Sequence, residues 1–401
     1  MGAGIECVEG IKLAKQQGLR VIVSDANPKA PGVQYADAFV QASVYDSEAT
    51  LRAAQQVLPC DSIHAVMTLG CDAPHTVSTL AQYFGVPGHS LDTAALTTDK
   101  LRMKEQLLAY GVRVPWFTAI ETLEQLHDEC RKREGPTVVK PVDSRGSRGV
   151  LRLGDDVNLD WAYHHSLSHS LSHRLILEQW IEGQQISTES IVWDDRALLC
   201  GIADRDYSRT KHLRPFIIED GGETPAALDD SSVQDIGQLV HAAAKALGIT
   251  RGTVKGDVVV AGGKPYIIEI AARLSGGYFC SHNIPLVYGI DMVGQVINMA
   301  LGQEPDWDML RPRVQQHVAN RFLFLPKGRI KTIDYDRELA RHPQVKLFRL
   351  YVSPGDLIEG ITDHTKRAGT VLTVGSTKAE AIALAEKIIQ SFTVTYYPKP
   401  N

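Results

Sequence analysis

The sequence predicts a multi-lobed protein of mixed α/β and α+β class, and three observations carry that reading. Its 401 residues exceed the roughly 250 at which a single core stops growing, so two to three lobes are expected. The first hundred residues alternate helix-like and strand-like segments, the pattern of a parallel sheet wrapped by helices. From residue 115 onward strands cluster and helices follow them, as in α+β lobes.

The elements follow in order. Residues 6–17 read as a helix closed by Gly18. Leu19-Arg20-Val21-Ile22-Val23-Ser24-Asp25 is a short β-branched run ending in an acid, suited to a buried parallel strand. Strands at 38–40 and 64–68 flank a helix over 47–56. Gly2-Ala3-Gly4 resembles the tight turn after the first strand of such a fold, yet no strand precedes it; loss of that strand through a late start or truncation is the expectation. Thr97-Thr98-Asp99-Lys100 marks a boundary before a helix over 101–110. Residues 115–181 form a lobe with strands at 137–140, 150–153 and 174–178. A helix is expected over 230–247, and a last lobe has strands at 318–325 and 369–374 with a helix over 377–392. The domains are drawn as 1–96, 97–308 (with a smaller lobe at about 115–180) and 309–401.

With 44% hydrophobic and 22% charged residues, the composition argues against disorder, collagen or a disulfide scaffold. A formal net charge of −5 argues against a dedicated nucleic-acid partner. No apolar run approaches the roughly 18 residues needed to cross a bilayer, and the start lacks the layout of a signal peptide. Six scattered cysteines without a C-x-x-C pair fit reduced thiols and a cytoplasmic location. His165, His169 and His173 recur at a four-residue spacing that would stack them on one helix face. No carboxylate or thiol completes a metal set there, so a polar face is the expectation.

Four segments carry chemistry. In Val138-Val139-Lys140-Pro141-Val142-Asp143-Ser144-Arg145-Gly146-Ser147-Arg148-Gly149 a strand delivers a lysine into a glycine-punctuated basic loop. Backbone N–H groups turned by glycines, together with those cations, suit a polyphosphate; a flexible basic hairpin is the alternative. In Leu175-Ile176-Leu177-Glu178-Gln179-Trp180-Ile181 an apolar strand ends in a carboxylate beside an apolar wall, which suits an adenine amino group. Two apolar strands around Gly262-Gly263 each carry one acid, Asp257 and Glu269. A three-residue loop would set these acids opposite each other, whereas a two-residue loop would set Asp257 opposite Ile268 and turn Glu269 away. Opposed carboxylates repel unless a cation lies between them, and hard oxygen ligands favour Mg²⁺. Ala271-Ala272-Arg273-Leu274-Ser275-Gly276-Gly277 follows, with an arginine able to hold a phosphoryl group and a carboxylate.

The ordered set Lys100, Lys140 with its loop, Glu178 with Trp180-Ile181, Asp257, Glu269 and Arg273 resembles the ATP-grasp superfamily. The resemblance runs over essentially the whole chain, including an N-terminal Rossmann-like lobe, a central lid lobe and a C-terminal lobe like those of biotin carboxylase and L-amino acid ligases. It implies ATP and Mg²⁺, with Mn²⁺ as a substitute. Lys100 and Lys140 would contact nucleotide phosphates, under a loop that includes Ser144, Gly146, Ser147 and Gly149. Glu178, Trp180 and Ile181 would hold the adenine, and Gln185 stands where many relatives have a ribose-binding Glu or His. Asp257 and Glu269 would hold the metal, with Asp257 where Glu is commoner. The usual Glu-x-Asn-x-Arg reads Glu269-Ile270-Ala271-Ala272-Arg273, so the Asn ligand is replaced by Ala271. Arg273, Lys140, Ser275 and Gly276 would serve catalysis, with Ser275-Gly276-Gly277 seating the substrate carboxylate.

The activity so implied is an ATP-dependent ligase that makes an acyl phosphate and passes the acyl group to an amine. The rivals are a purine-biosynthesis or biotin-carboxylase-like enzyme and a non-catalytic ATP-binding subunit. A homodimer is the expectation that goes with the resemblance. The basic stretch 204–214 reads either as a substrate-recognition loop, using Arg209, Lys211, His212 or Arg214, or as a solvated connector.

Overall fold

A computed structural model describes residues 1–59 and 62–398. The chain divides into two compact units, each assembled from non-contiguous segments. The first comprises Met1–Val114, Ser187–Ile202 and Leu228–Val314; the second comprises Pro115–Ile186, Ala203–Ala227 and the chain from Gln315 onward.

In the first unit the helix Val8–Gln16 leads into the strand Ile22–Asp25, which pairs in parallel with Ala38–Gln41. Asp46 caps the next helix, Ser47–Val57, by accepting from the backbone N of Ala49. Residues 64–68, expected as a third strand, are extended but join no sheet among the described residues; a cavity lies between them and Ile22–Asp25. The boundary at Thr97-Thr98-Asp99 is a helix cap. The Asp99 side chain accepts from Leu101 N and Arg102 N, which places Lys100 at the first position of Lys100–Ala109. A four-stranded antiparallel sheet runs Lys264–Ala271, Arg251–Ala261, Gln184–Trp193, Arg196–Asp204. The helix Asp230–Ala246 packs on its first two strands.

The second unit holds a sheet ordered Phe117–Ile120, Leu175–Gln179, Thr137–Pro141, Leu151–Leu153. Leu126, Val139, Leu151, Leu175 and Leu177 form its core. A second sheet runs Val345–Leu350, Gly369–Gly375, His317–Leu323, Gly221–Thr224. The helix Lys378–Gln390 closes over it, burying Ala381, Ala385 and Ile388 against Ala319 and Val371. A capping box between Thr377 and Glu380 starts that helix. No helix among the described residues is long and apolar enough to cross a membrane.

Candidate active site

The first unit gathers the acidic half of the predicted set. Gly262 and Gly263 have φ of 55° and 72°, the left-handed pair that a two-residue hairpin turn requires. The ladder runs from Ala261↔Lys264 to Val258↔Ile267, then shifts by one residue, so that Asp257 faces Glu269. The turn is the two-residue one, yet the acids take the pairing expected from the three-residue loop. The short turn alone would have turned Glu269 away, and a bulge at Ile268 brings it back. On the outer edge of this strand the Ile267 backbone N donates to Arg113 O at 2.9 Å, and Lys104 Nζ donates to Ile267 O at 3.1 Å.

Cations flank both acids. Lys255 Nζ lies 2.5 Å from Asp257 Oδ2, and Lys100 Nζ lies 3.5 Å from Glu269 Oε1. Asp257 and Glu269 keep side-chain exposures of 14% and 25%, so both are reachable from solvent. Two carboxylates on one sheet face, mostly buried yet open to solvent and each beside a positive charge, are a donor set that fits a hard divalent ion such as Mg²⁺. Among the described residues no group of three His, Cys, Asp or Glu side chains is poised for a metal, so substrate oxygens would have to complete such a shell.

Just beyond the hairpin, Arg273 Nε lies 3.5 Å from Asp72 Oδ1. Burial works against the Arg273 charge, yet Asp72, Glu189, Glu269 and Asp257 hold its guanidinium above its ordinary pKa. The loop after it is held by two acids. Glu189 Oε2 accepts from Ser275 N at 3.0 Å, and Glu6 Oε2 accepts from Gly277 N at 2.9 Å. A Cβ on Gly276 or Gly70 would come within 2.7 Å or 2.9 Å of Glu6 Oε2, so both positions need glycine for this close approach. Glu189 is fully buried, and burial pushes its carboxyl up to about 7 despite the Ser275 bonds and Arg273.

The second unit gathers the remaining predicted residues. Val138 pairs with Glu178 and Lys140 with Ile176, which makes Lys140 and Glu178 diagonal neighbours on one face. Their charges meet at 2.8 Å, with exposures of 6% and 3%. Ser147 has φ of 62° and Gly149 of 71°, and a Cβ at Gly149 would lie 2.8 Å from the His169 Cβ. The loop base is fixed by the histidine- and serine-rich segment. Ser170 Oγ and Ser172 N donate to Asp143 at 2.9 Å and 2.7 Å, and Ser166 Oγ donates to Gly149 O at 2.8 Å. The expected stack of three histidines is only partly formed. The helix Leu159–Leu167 ends before His173, which has φ of 53°, while the His165 and His169 rings lie 4.7 Å apart. Ser144 and Gly146 lie in the same loop, whose Gly146 O accepts from His364 N at 3.0 Å. Trp180 and Ile181 are half-buried, with the Arg152 guanidinium 5.2 Å from the Trp180 ring. Gln185 lies at the start of Gln184–Trp193, its O accepting from Arg205 N at 2.9 Å.

In the stretch 204–214, Arg205 is bound by Glu219 at 2.8 Å and Arg209 by Asp220 at 3.0 Å. Lys211, His212 and Arg214 are exposed. Five functional candidates escaped the sequence reading: Glu6, Asp72, Glu189, Lys104 and Lys255. Each is a single charged residue in an otherwise ordinary element. Glu189 itself sits among Ser187, Thr188 and Ser190, a polar stretch that gives no signal of its burial.

Residues 97–277 match the ATP-grasp domain family, and residues 321–397 match L-amino acid ligase C-terminal domain 2. The chain is 25% identical to an uncharacterized protein of Sinorhizobium fredii, over 80% of this chain and 66% of that one. It is 30% identical to a D-alanine--D-alanine ligase B of Xanthomonas campestris pv. campestris, over 48% of this chain and 62% of that one. The chain thus spans somewhat less than two thirds of the length of these curated relatives. An L-amino acid ligase from Bacillus licheniformis shares the fold, with a TM-score of 0.82 at 22% identity over 98% of this chain and 96% of that one.

Proposed function

For a chain that carries an ATP-grasp domain and an L-amino acid ligase C-terminal domain, we propose an ATP-dependent carboxylate–amine ligase acting on amino acids or similarly small acids. A carboxylate oxygen attacks the γ-phosphorus and ADP leaves. The amine then attacks the acyl carbon, inorganic phosphate leaves, and the nitrogen loses a proton as the amide forms. Most of the acceleration in such a reaction comes from positioning and charge neutralisation.

The observation that carries this reading is the opposed pair Asp257 and Glu269, brought together by the Ile268 bulge and followed at once by a partly buried, charged Arg273. In this reading Asp257 and Glu269 would hold Mg²⁺, whose charge would lower the repulsion between phosphate oxygens and an incoming carboxylate. Lys100 and Lys140 bind the phosphates, and the loop with Ser144, Gly146, Ser147 and Gly149 shields them from water. Glu178, with the backbone at Trp180 and Ile181, receives the adenine, and Gln185 receives a ribose hydroxyl. Arg273 binds the acyl phosphate oxygens, while Ser275 and Gly276 present backbone to the substrate carboxylate. The match of the last lobe to an amino acid ligase domain favours an amino acid over bicarbonate or a phosphoribosyl compound.

Amino acids and small carboxylates supplied in pairs with Mg-ATP test the proposal through phosphate release. Release should require both an acid and an amine. Glu269→Gln should remove turnover while leaving nucleotide binding within a few fold. Full turnover in that variant would remove the metal assignment, and phosphate release with ATP alone would remove the ligase reading.

A further inference from the structure

The glycine loop of the second unit is held at two ends by different parts of the chain. Its base is pinned from its own lobe, by Ser166 on Gly149 O and by Ser170 and Ser172 on Asp143. Its tip is pinned by the last lobe. Gly146 has φ of 64°, and its carbonyl accepts from the His364 backbone N at 3.0 Å. His364 opens a single helical turn, His364–Lys366, that leads into the strand Gly369–Gly375. None of the reaction steps assigned so far uses this turn.

The turn is fixed on every side. Asp363 is buried and caps it, accepting from Thr365 N at 2.9 Å, Thr365 Oγ1 at 2.5 Å and Thr362 Oγ1 at 2.9 Å. On the imidazole, Nε2 accepts from Glu219 N at 3.2 Å, so the hydrogen of the neutral ring is on Nδ1. Glu219 is itself tied down. Its carboxylate binds Arg205 at 2.8 Å, and its carbonyl accepts from Arg367 Nη2 at 3.3 Å. His364 therefore bridges Gly146 and Glu219, with its backbone on one and its side chain on the other. A second contact runs from the same turn to the helix Leu159–Leu167. Burial and then His169 pull the His165 pKa down, whereas the Asp363 charge raises it. The His169 ring lies 4.7 Å from that of His165, and His169 is the residue on which Gly149 packs.

We propose that His364 is a positioning residue for nucleotide binding: by clamping the Gly146 carbonyl to Glu219 it holds the glycine loop in one shape, and bound nucleotide leaves when that clamp opens. The inference rests on the reading of Ser144, Gly146, Ser147 and Gly149 as a phosphate loop. Glycines let such a loop turn its N–H groups toward an anion, but they also leave it many other shapes. An unclamped loop must lose that freedom each time it binds, whereas a clamped one has lost it already. The last lobe then contributes to nucleotide retention through the loop rather than by touching the nucleotide.

The test follows a fluorescent, non-hydrolysable ATP analogue binding to the full chain by stopped flow. His364→Ala removes the acceptor for Glu219 N. Dissociation should quicken about tenfold, the worth of one net hydrogen bond, while association changes by less than about threefold. His364→Gln keeps an acceptor near the same place and should recover most of the difference. In the unsubstituted chain the analogue should slow hydrogen exchange at the His364 amide about tenfold or more, whereas adenosine, which lacks phosphates, should not. A His364→Ala form that loses thermal stability but releases the analogue at the original rate would make His364 a structural tie only, and overturns the proposal. Should that form fail to fold, the exchange comparison decides, and equal protection by adenosine and the analogue overturns it. Failure of the chain to bind any nucleotide would remove the ligase reading and this proposal with it.

Discussion

Glu189 gives the sharpest prediction about the energetics of the candidate site. Its carboxyl is fully buried, accepts from Ser275 N at 3.0 Å, and is raised from 4.5 to about 7 chiefly by burial. Between those two values the folded protein binds a proton that the unfolded chain has already released. Stability is therefore complete below pH 4.5 and declines as pH rises through 7. At 1.36 kcal/mol per unit, the loss across the window is about 3 kcal/mol. Glu189→Gln keeps an oxygen acceptor for Ser275 N and cannot ionise. Urea unfolding of both forms from pH 4.5 to pH 8 isolates the contribution, because every other titrating group cancels in the difference. The two should have similar stability at the acid end, with the variant more stable by about 3 kcal/mol at the alkaline end. A difference that stays flat across this range would refute the reasoning. It would mean that Arg273 and the Ser275 loop solvate the Glu189 charge as well as water does.

Other consequences follow from the same structure. Arg321 is buried with its guanidinium 2.6 Å from Glu223. Arg321→Met leaves Glu223 only the Lys378 ammonium, at 3.7 Å, and should cost about 2–4 kcal/mol, read as a fall in thermal midpoint, while Arg321→Lys should recover part of the loss. Gly149→Ala meets the His169 Cβ at 2.8 Å with φ at 71°, so the loop must move and the KM for ATP should rise at least tenfold, about 1.4 kcal/mol or more. Gly146 also has a positive φ but open space around it. Gly146→Ala should therefore cost only the backbone term of about 1 kcal/mol, and equal effects at the two glycines would refute the packing argument. Lys140→Met leaves Glu178 buried without its 2.8 Å partner. It should both destabilise the protein and weaken nucleotide binding, and the double variant Lys140→Met with Glu178→Leu should regain stability without regaining binding.

The legible parts of this protein were those with a local physical signature. Asp99 announces its helix because a cap needs an acceptor immediately before the first turn. Gly262-Gly263 announces its hairpin because few other pairs tolerate two positive φ angles. The register of Asp257 and Glu269 was left open between two alternatives, because the extra residue at Ile268 that reconciles a two-residue turn with this pairing has no local sequence signature. Glu6 and Asp72 carry no pattern of their own, and only the folded chain brings them to Gly277 and Arg273. The serines between the spaced histidines carry no signal of their own, yet Ser166 and Ser170 anchor the glycine loop through Gly149 and Asp143.

The central claim is that a carboxylate is activated by direct transfer of the γ-phosphoryl group. It is tested most directly with an acid whose carboxyl oxygens are ¹⁸O, an amine and Mg-ATP, followed by mass analysis of the released phosphate. The account predicts one ¹⁸O atom in phosphate for each amide formed, together with ADP. Unlabelled phosphate accompanying amide formation, or AMP carrying the label, would contradict it.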